Sequence, residues 1–209
     1  MPARNVAPTK SNLLDLKQQL TFARQGHELL DQKRNILVIE LLGLVDQAID
    51  YQNQVERALE QAYESFEHAV LAMGKLKSLH LSGALNIRAD IEISQRRVMG
   101  VRLPIVDTNF EEHPPYYSPL GTSFWIDDAT QQFKEALSLM GRFAELKVSI
   151  MRLAREVRRT VRKVNALEKV AIPELEESVK VIAERLEENE REMFVLMKMV
   201  KDRLSKKER

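Results

Sequence analysis

Carboxylates are the most abundant groups in this sequence that could do chemistry, and glutamates crowd residues 174–192. Two carboxyls held on one face at fixed separation could act as general acid and base. At helical spacing these point around the whole circumference, which is the pattern of a solvated helix face. A second cluster is basic: Arg152, Arg155, Arg158, Arg159, Arg162 and Lys163. Such a run could touch phosphates, but no interleaved aromatics and no groove-reading element accompany it. A charged helix face matching an acidic protein partner is the better reading. The four histidines, His27, His68, His80 and His113, fall at no metal-ligand spacing, and cysteine is absent. No glycine loop of the phosphate-cradling kind occurs. Catalytic, cofactor-binding and metal-binding residues are therefore expected to be none.

The groups must be positioned by helices. Hydrophobic residues at 44% and charged residues at 30% describe a folded, water-facing chain, and aromatics at 6% with only seven glycines argue against a large sheet. A net charge of +1 creates no field that would draw the whole chain onto nucleic acid or acidic lipid. No run of 18 apolar residues is present, so no direct membrane insertion is expected. The start lacks the apolar core of a signal peptide. Absence of thiols fits a cytosolic protein.

Residues 127–209 organise the chain. They contain one glycine, Gly141, and one proline, Pro173. Phe133, Ala136, Met140, Phe143, Ile150, Leu153, Val157, Val161 and Val164 recur at three- and four-residue steps. The beat resumes at Leu175, Val179, Ile182, Leu186, Met193, Met197, Val200 and Leu204. That spacing keeps one seam toward a partner helix over a rod of roughly 120 Å. Residues 1–77 supply the partner. Leu13, Leu16, Leu20, Ala23, His27, Leu30, Arg34, Leu37, Leu41, Leu44, Ala48, Tyr51, Val55, Ala58 and Ala62 form a second heptad seam. Thr9 or Ser11 is expected to cap it. The polar His27 and Arg34 are expected to pair or reach outward at the seam edge and fix register.

Residues 78–126 break the pattern. Ser82 and Gly83 end the first rod. Ala89, Ile91 and Ile93 alternate with charged residues as a half-buried strand. Val98 to Leu103 suggest a second strand ended by Pro104, with a turn near residues 94–97. Residues 107–121, with Pro114, Pro115, Pro119 and two tyrosines, read as a loop whose return Trp125 anchors, and Asp127 or Asp128 caps the second rod. The fold class that follows is mainly α. Two very long helices form an antiparallel coiled-coil hairpin, with a small β-hairpin head at residues 78–126 and the second helix over residues 127–209.

Placing Gly74 level with Thr130 sets residues 36–45 against residues 159–168. Both stretches are apolar over more than one stripe, so a further protein is expected to cover Val38 and Val170. The same register carries residues 193–200 past the start of the first helix, where Met193, Phe194, Met197 and Met199 are apolar on every side. Cover by residues 1–10 is the plainer alternative to insertion into a sleeve made by other subunits. Pro173 removes a ladder donor and crowds the carbonyl of Lys169, which predicts a kink.

Two segments resemble one family. P-T-K-S-N-L-L-x-L-K-x-x-L (residues 8–20), continuing to G-H-x-L-L-x-x-K-R (residues 26–34), is similar to the start of the D subunits of V-type and archaeal-type (V/A) ATPases. T-V-R-K-V-N-A-L-E (residues 160–168), with Ile172-Pro173 and L-E-E (residues 175–177), resembles that family's C-terminal signature. Residues 78–126 match only in character. The resemblance implies a central-stalk rotor shaft, monomeric within its complex and without an active site. Its helices would enter the ring of catalytic A and B subunits. Its lower part would carry the small F subunit and dock on the funnel-like C (or d) subunit, at the cytoplasmic face of the membrane. The shaft would couple ATP hydrolysis or synthesis to proton or sodium transport. Within this reading Arg158, Arg159, Arg162, Lys163, Val38, Val170, Met193, Phe194, Met197 and Met199 are the expected partner-binding residues. Two alternatives are a homodimeric coiled-coil tether and a basic-helix nucleic-acid binder.

Overall fold

The structure, a computed structural model, describes residues 7–111, 115–118 and 120–207, with side chains to Arg203. The elements are α1 (Lys10–Met73), α2 (Lys75–Ala84), β1 (Arg88–Val98), β2 (Val101–Glu111), α3 (Phe124–Ala166), a π-helical turn (Leu167–Ala171) and α4 (Ile172–Lys207). They fall into two compact units, one of Ile36–Val157 and one of Met1–Asn35 with Arg158–Arg209.

Thr9 caps α1, accepting the amide of Asn12 at 3.3 Å. The helix then runs for 64 residues because its apolar side chains repeat by heptads. All fifteen seam positions from Leu13 to Ala62 are buried or half-buried, with Leu16, Leu37, Leu44, Val55 and Ala62 buried. α1 stops at Gly74, whose φ is +84°, and a separate helix continues to Ala84. The break therefore comes before Ser82 and Gly83, the expected end.

In the unit of residues 1–35 and 158–209 the helices run antiparallel. Lys10 pairs with Glu190 at 2.8 Å and Arg24 with Glu176 at 2.7 Å. These exposed pairs mark the register and contribute little to stability. Leu16, Thr160, Val164 and Ile182 are buried here, and Leu175, Val179 and Leu186 are half-buried. Arg34 pairs with Asp31 of its own helix at 2.7 Å. His27 Nε2 is buried with no hydrogen-bond partner among the described residues, so only the ring's packing is met.

In the unit of residues 36–157 the same antiparallel sense holds. Tyr63 meets Phe133 edge-on with centroids 5.4 Å apart, and His68 stacks on Trp125 at 4.7 Å. The Ser65 hydroxyl donates to Asp128 at 2.7 Å, and Gln132 Nε2 donates to the same carboxylate at 2.9 Å. Ser123 donates its amide to Met73 Sδ, which places Gly74 beside the start of α3. Thr130 lies about two turns further on, so the observed register differs from the expected one by that amount. Leu37 and Leu44 accordingly pack in one cluster with Leu146 and Leu153 of α3. Ser123 is the capping residue of α3, its hydroxyl accepting the Trp125 amide at 3.4 Å. Asp127 and Asp128, the expected caps, lie inside the helix and bind Tyr117 and Ser65 instead.

The hairpin is longer than its sequence pattern suggests. β1 and β2 pair in register from Arg88↔Glu111 to Val98↔Val101. The turn is Met99-Gly100, with φ of +47° and +83°, the two left-handed residues that a two-residue hairpin loop requires. It lies beyond residues 94–97, where the turn was expected. Pro104 does not end β2. It shares its side of the ladder with Val106, whose amide points out of the sheet to Glu145 Oε2 at 2.9 Å. The donor that proline lacks thus falls on the outer edge, where no ladder bond is lost. β1 is exposed over its whole length up to Val98, with Ile91 at 56% and Ile93 at 69%, so it is not a half-buried strand. β2 carries the burial.

Leu103 is fully buried with Leu37, Leu44, Leu146 and Leu153, flanked by Val98, Val101, Leu41, Ile150 and Val157. Each such leucine contributes roughly 1.5–3 kcal/mol relative to exposure. The turn end of the hairpin therefore lies along α1 and α3. Close approach of β2 to α3 needs Gly141: a Cβ there would stand 2.6 Å from Thr108 Oγ1. Arg142 ties the same edge to Asp107 at 3.1 Å, and Arg152 donates to the carbonyl of Arg102 at 2.9 Å. Of the proline-rich loop, His113, Pro114 and Pro119 lie outside the described residues.

Gly141→Ala gains about 1 kcal/mol of helix propensity and loses roughly 1–3 kcal/mol to the clash with Thr108. In a Thr108→Ala background the clash is gone, so Gly141→Ala should become stabilising. Chemical denaturation of the four chains should give a coupling of about 1–3 kcal/mol; additive effects would mean that β2 does not approach α3 closely. A second test uses Tyr117, whose phenol donates to Asp127 and is held well above the usual tyrosine range by burial, that hydrogen bond and the Asp127 charge. The fold favours the protonated phenol, so its stabilisation is complete below about pH 10 and is lost as pH rises toward the folded value. Absorbance titration should show a late tyrosinate step that Tyr117→Phe removes. A late step persisting in the variant would place it elsewhere.

Candidate partner-binding surfaces

The basic face of α3 is built by its position just outside the seam. Thr160 and Val164 point inward and are buried, which turns Arg158, Arg159, Arg162 and Lys163 to solvent. None of these four forms an ion pair within the described residues. They are a set of cations held on a rigid helix with no internal demand on them. Arg152, in the other unit, is partly used by the Arg102 carbonyl.

Residues 193–200 continue α4 beyond the last half-buried seam residue, Leu186. Met193 is 61% exposed, Phe194 75%, Met197 60% and Met199 50%, with Val195, Leu196 and Val200 similarly open. An apolar cylinder of this kind is not a core face, because it has no inside. Residues 1–6, which the plainer reading used as part of its cover, lie outside the described residues. At the foot of this segment the Lys10 ammonium hydrogen-bonds Glu190. The hydrogen bond and the opposite charge raise the lysine pKa and lower that of the glutamate. A shallow cleft of about 350 Å³ beside it is lined by Glu187, Glu190, Arg191 and Phe194, all on α4, and is too open to enclose a ligand.

Val38 and Val170 have different surroundings. Val38 is half-buried in the unit that holds the hairpin, and beside it on α1 Leu37 and Leu41 pack in one cluster with Leu103, Val98 and Val101 of the hairpin. What stays open on α1 there is a neighbouring stripe, Ile39 at 72%, Leu42 at 59% and Ile49 at 55%. The sequence signal for it is the excess width of the apolar face, whose outer members the choice of Val38 leaves out. Val170 is 52% exposed and sits in the π-helical turn that precedes Pro173. Gly141 is a structural residue that the seam pattern alone does not single out. A lone glycine inside a helical pattern is itself the signal of a close backbone approach.

Among the described residues no three His, Cys, Asp or Glu side chains are gathered to hold a metal ion, and no helix is long and apolar enough to cross a membrane.

The sequence model of the family described as the ATP synthase D subunit matches residues 12–202. The D subunit of the A-type ATP synthase of Thermococcus gammatolerans is 36% identical over 200 residues, covering 94% of each chain. That of Pyrococcus furiosus is 33% identical over 206 residues, covering 97% of this chain and 96% of the relative. The Methanobrevibacter smithii protein is 35% identical over 206 residues, covering 97% and 89%. The match runs through both helical partners and the hairpin between them, and the chain belongs to the family of ATP synthase D subunits.

Proposed function

We propose that this chain is the non-catalytic central-stalk shaft of an A-type ATP synthase, coupling nucleotide turnover in a ring of A and B subunits to ion transport in the membrane. The observation that carries the proposal, beyond family membership, is the helix end at residues 193–200, where every residue but Lys198 is apolar and all are exposed. Flexible methionines on such a surface make adaptable contacts suited to a bearing that turns against a ring. A surface that bound one fixed partner would be apolar on one side only.

Coupling then follows from differential contact. A shaft that presents different side chains at each angle favours a different conformation of each catalytic subunit, and rotation shifts those populations in sequence. The cations at Arg158, Arg159, Arg162 and Lys163 supply one such face, with acidic loops as the matching partner chemistry. The open apolar stripe of Ile39, Leu42 and Ile49 offers a place for a small stalk protein of the F type, and a funnel-like protein of the C or d type completes the connection. In this reading the chain works at the cytoplasmic face of the membrane and occurs once per complex.

Two experiments test the proposal in the assembled complex. Replacing Met193, Phe194, Met197 and Met199 together with glutamine should leave the isolated chain's unfolding temperature nearly unchanged, because these side chains are already exposed. It should lower ATP hydrolysis by the reconstituted catalytic ring about tenfold or more, since a polar tip must be desolvated inside the ring. Full activity with the four glutamines would sink the bearing role. Replacing Arg158, Arg159 and Arg162 with alanine should likewise spare the fold and reduce ion pumping per ATP hydrolysed. An unchanged coupling ratio would remove the basic face from the mechanism.

A further inference from the structure

The seam on the C-terminal helical segment changes phase part-way along. Thr160 and Leu167 stand one heptad apart, as do Val164 and Ala171; the first of each pair is buried and the second half-buried. The same heptads would next bring Glu174 and Ser178 to the seam, then Val181 and Arg185. Glu174 and Arg185 are instead exposed and Ser178 and Val181 only half-buried, while Leu175, Val179 and Leu186 are half-buried and Ile182, one residue past the old phase, is the buried position. The seam has moved on by one residue.

The π-helical turn lies between the two phases. It spans Leu167–Ala171 and is closed by the Ile172 amide donating to the Leu167 carbonyl. That bond reaches back five residues where the α-helical ladder reaches four, so the turn holds one residue more than an α-helical turn does. A heptad chain can spread such an extra residue over several turns by unwinding its supercoil. Here it is gathered into one widened turn. Pro173 follows directly, at a point where the ladder lacks a donor in any case, so widening costs least there. Glu168, Lys169 and Val170 face solvent on the widened turn.

We infer that Leu167–Ala171 carries one surplus residue and acts as a phase corrector, returning Leu175, Val179, Ile182 and Leu186 to the seam after the helix is interrupted. The alternative is that Pro173 alone distorts the helix and the phase of the seam is indifferent to it. The two make opposite predictions for a deletion. Removing one residue from a regular α-helix turns everything beyond it by about 100°. Removing Glu168 should do no such thing, because the remaining heptads then run continuously from Thr160 through Leu175 to Ile182.

The test compares three full-length chains: the parent, a deletion of Glu168 combined with Pro173→Ala, and a deletion of the exposed Lys180 as control. Thermal unfolding and amide hydrogen exchange of the segment around Ile182 are measured for each. The Glu168 deletion should unfold within a few degrees of the parent and keep the Ile182 segment protected within about twofold. The Lys180 deletion should turn Ile182 and Leu186 out of the seam, lose that protection and unfold roughly 5–15 °C lower. Loss of protection or failure to fold in the Glu168 deletion would overturn the inference, as would a Lys180 deletion that leaves the segment unchanged.

Discussion

Apolar residues returning at alternating three- and four-residue steps, paired across an antiparallel helix contact, are what each unit of this protein depends on. Neither unit contains a sheet large enough to make a core. In one, burial falls to Leu16, Thr160, Val164 and Ile182 along the helix contact. In the other, Leu37, Leu44, Leu146 and Leu153 are joined by a single β-strand leucine, Leu103. Ion pairs mark the register of these helices but are mostly exposed, and the hydrophobic seam carries the energy. Surface residues outside these contacts are then free of structural duty. That is why four cations without an ion pair among the described residues, and a helix end apolar but for Lys198, can persist there.

Fixed phase is costly to interrupt, and each interruption has a local physical remedy. Gly74 takes a positive φ that ends α1 and starts a new helix. Gly141 gives up a side chain so that β2 can lie against α3. Pro173 follows a widened turn that has already changed the ladder. In each case a residue of poor helix propensity stands where backbone geometry or a close approach sets the requirement.

The heptad seams were legible in the sequence because periodicity depends only on local spacing. Every position from Leu13 to Ala62 named on that basis lies inward. The exposed tip was legible too, since a segment apolar all round has no ordinary place in a two-helix fold. The register was not, because heptads match equally well when slid by two turns, and the contacts that choose among them, Ser65 with Asp128 and Tyr63 with Phe133, are long-range. The hairpin was half-read. Pro104 looks like a strand terminator until one knows that its missing donor faces the outer edge. Ile91 and Ile93 alternate with charged residues as a half-buried strand would, yet both are exposed, because pattern alone cannot say whether a face has a partner.

The antiparallel arrangement also has a consequence for the making of the protein. Arg24 and Glu176 meet although 152 residues separate them in the chain. At a synthesis rate of about 5–20 residues per second, the early half of that contact leaves the ribosome roughly 8–30 s before its mate. For that interval the stretch of α1 around Leu16 and Arg24 carries an apolar stripe whose partner is still unmade, whereas Ser65, near the other end of the helix, waits only 63 residues for Asp128. A nascent chain in that condition is a substrate for chaperones, and a cell that slowed translation between the two halves would lengthen the time in which it can aggregate.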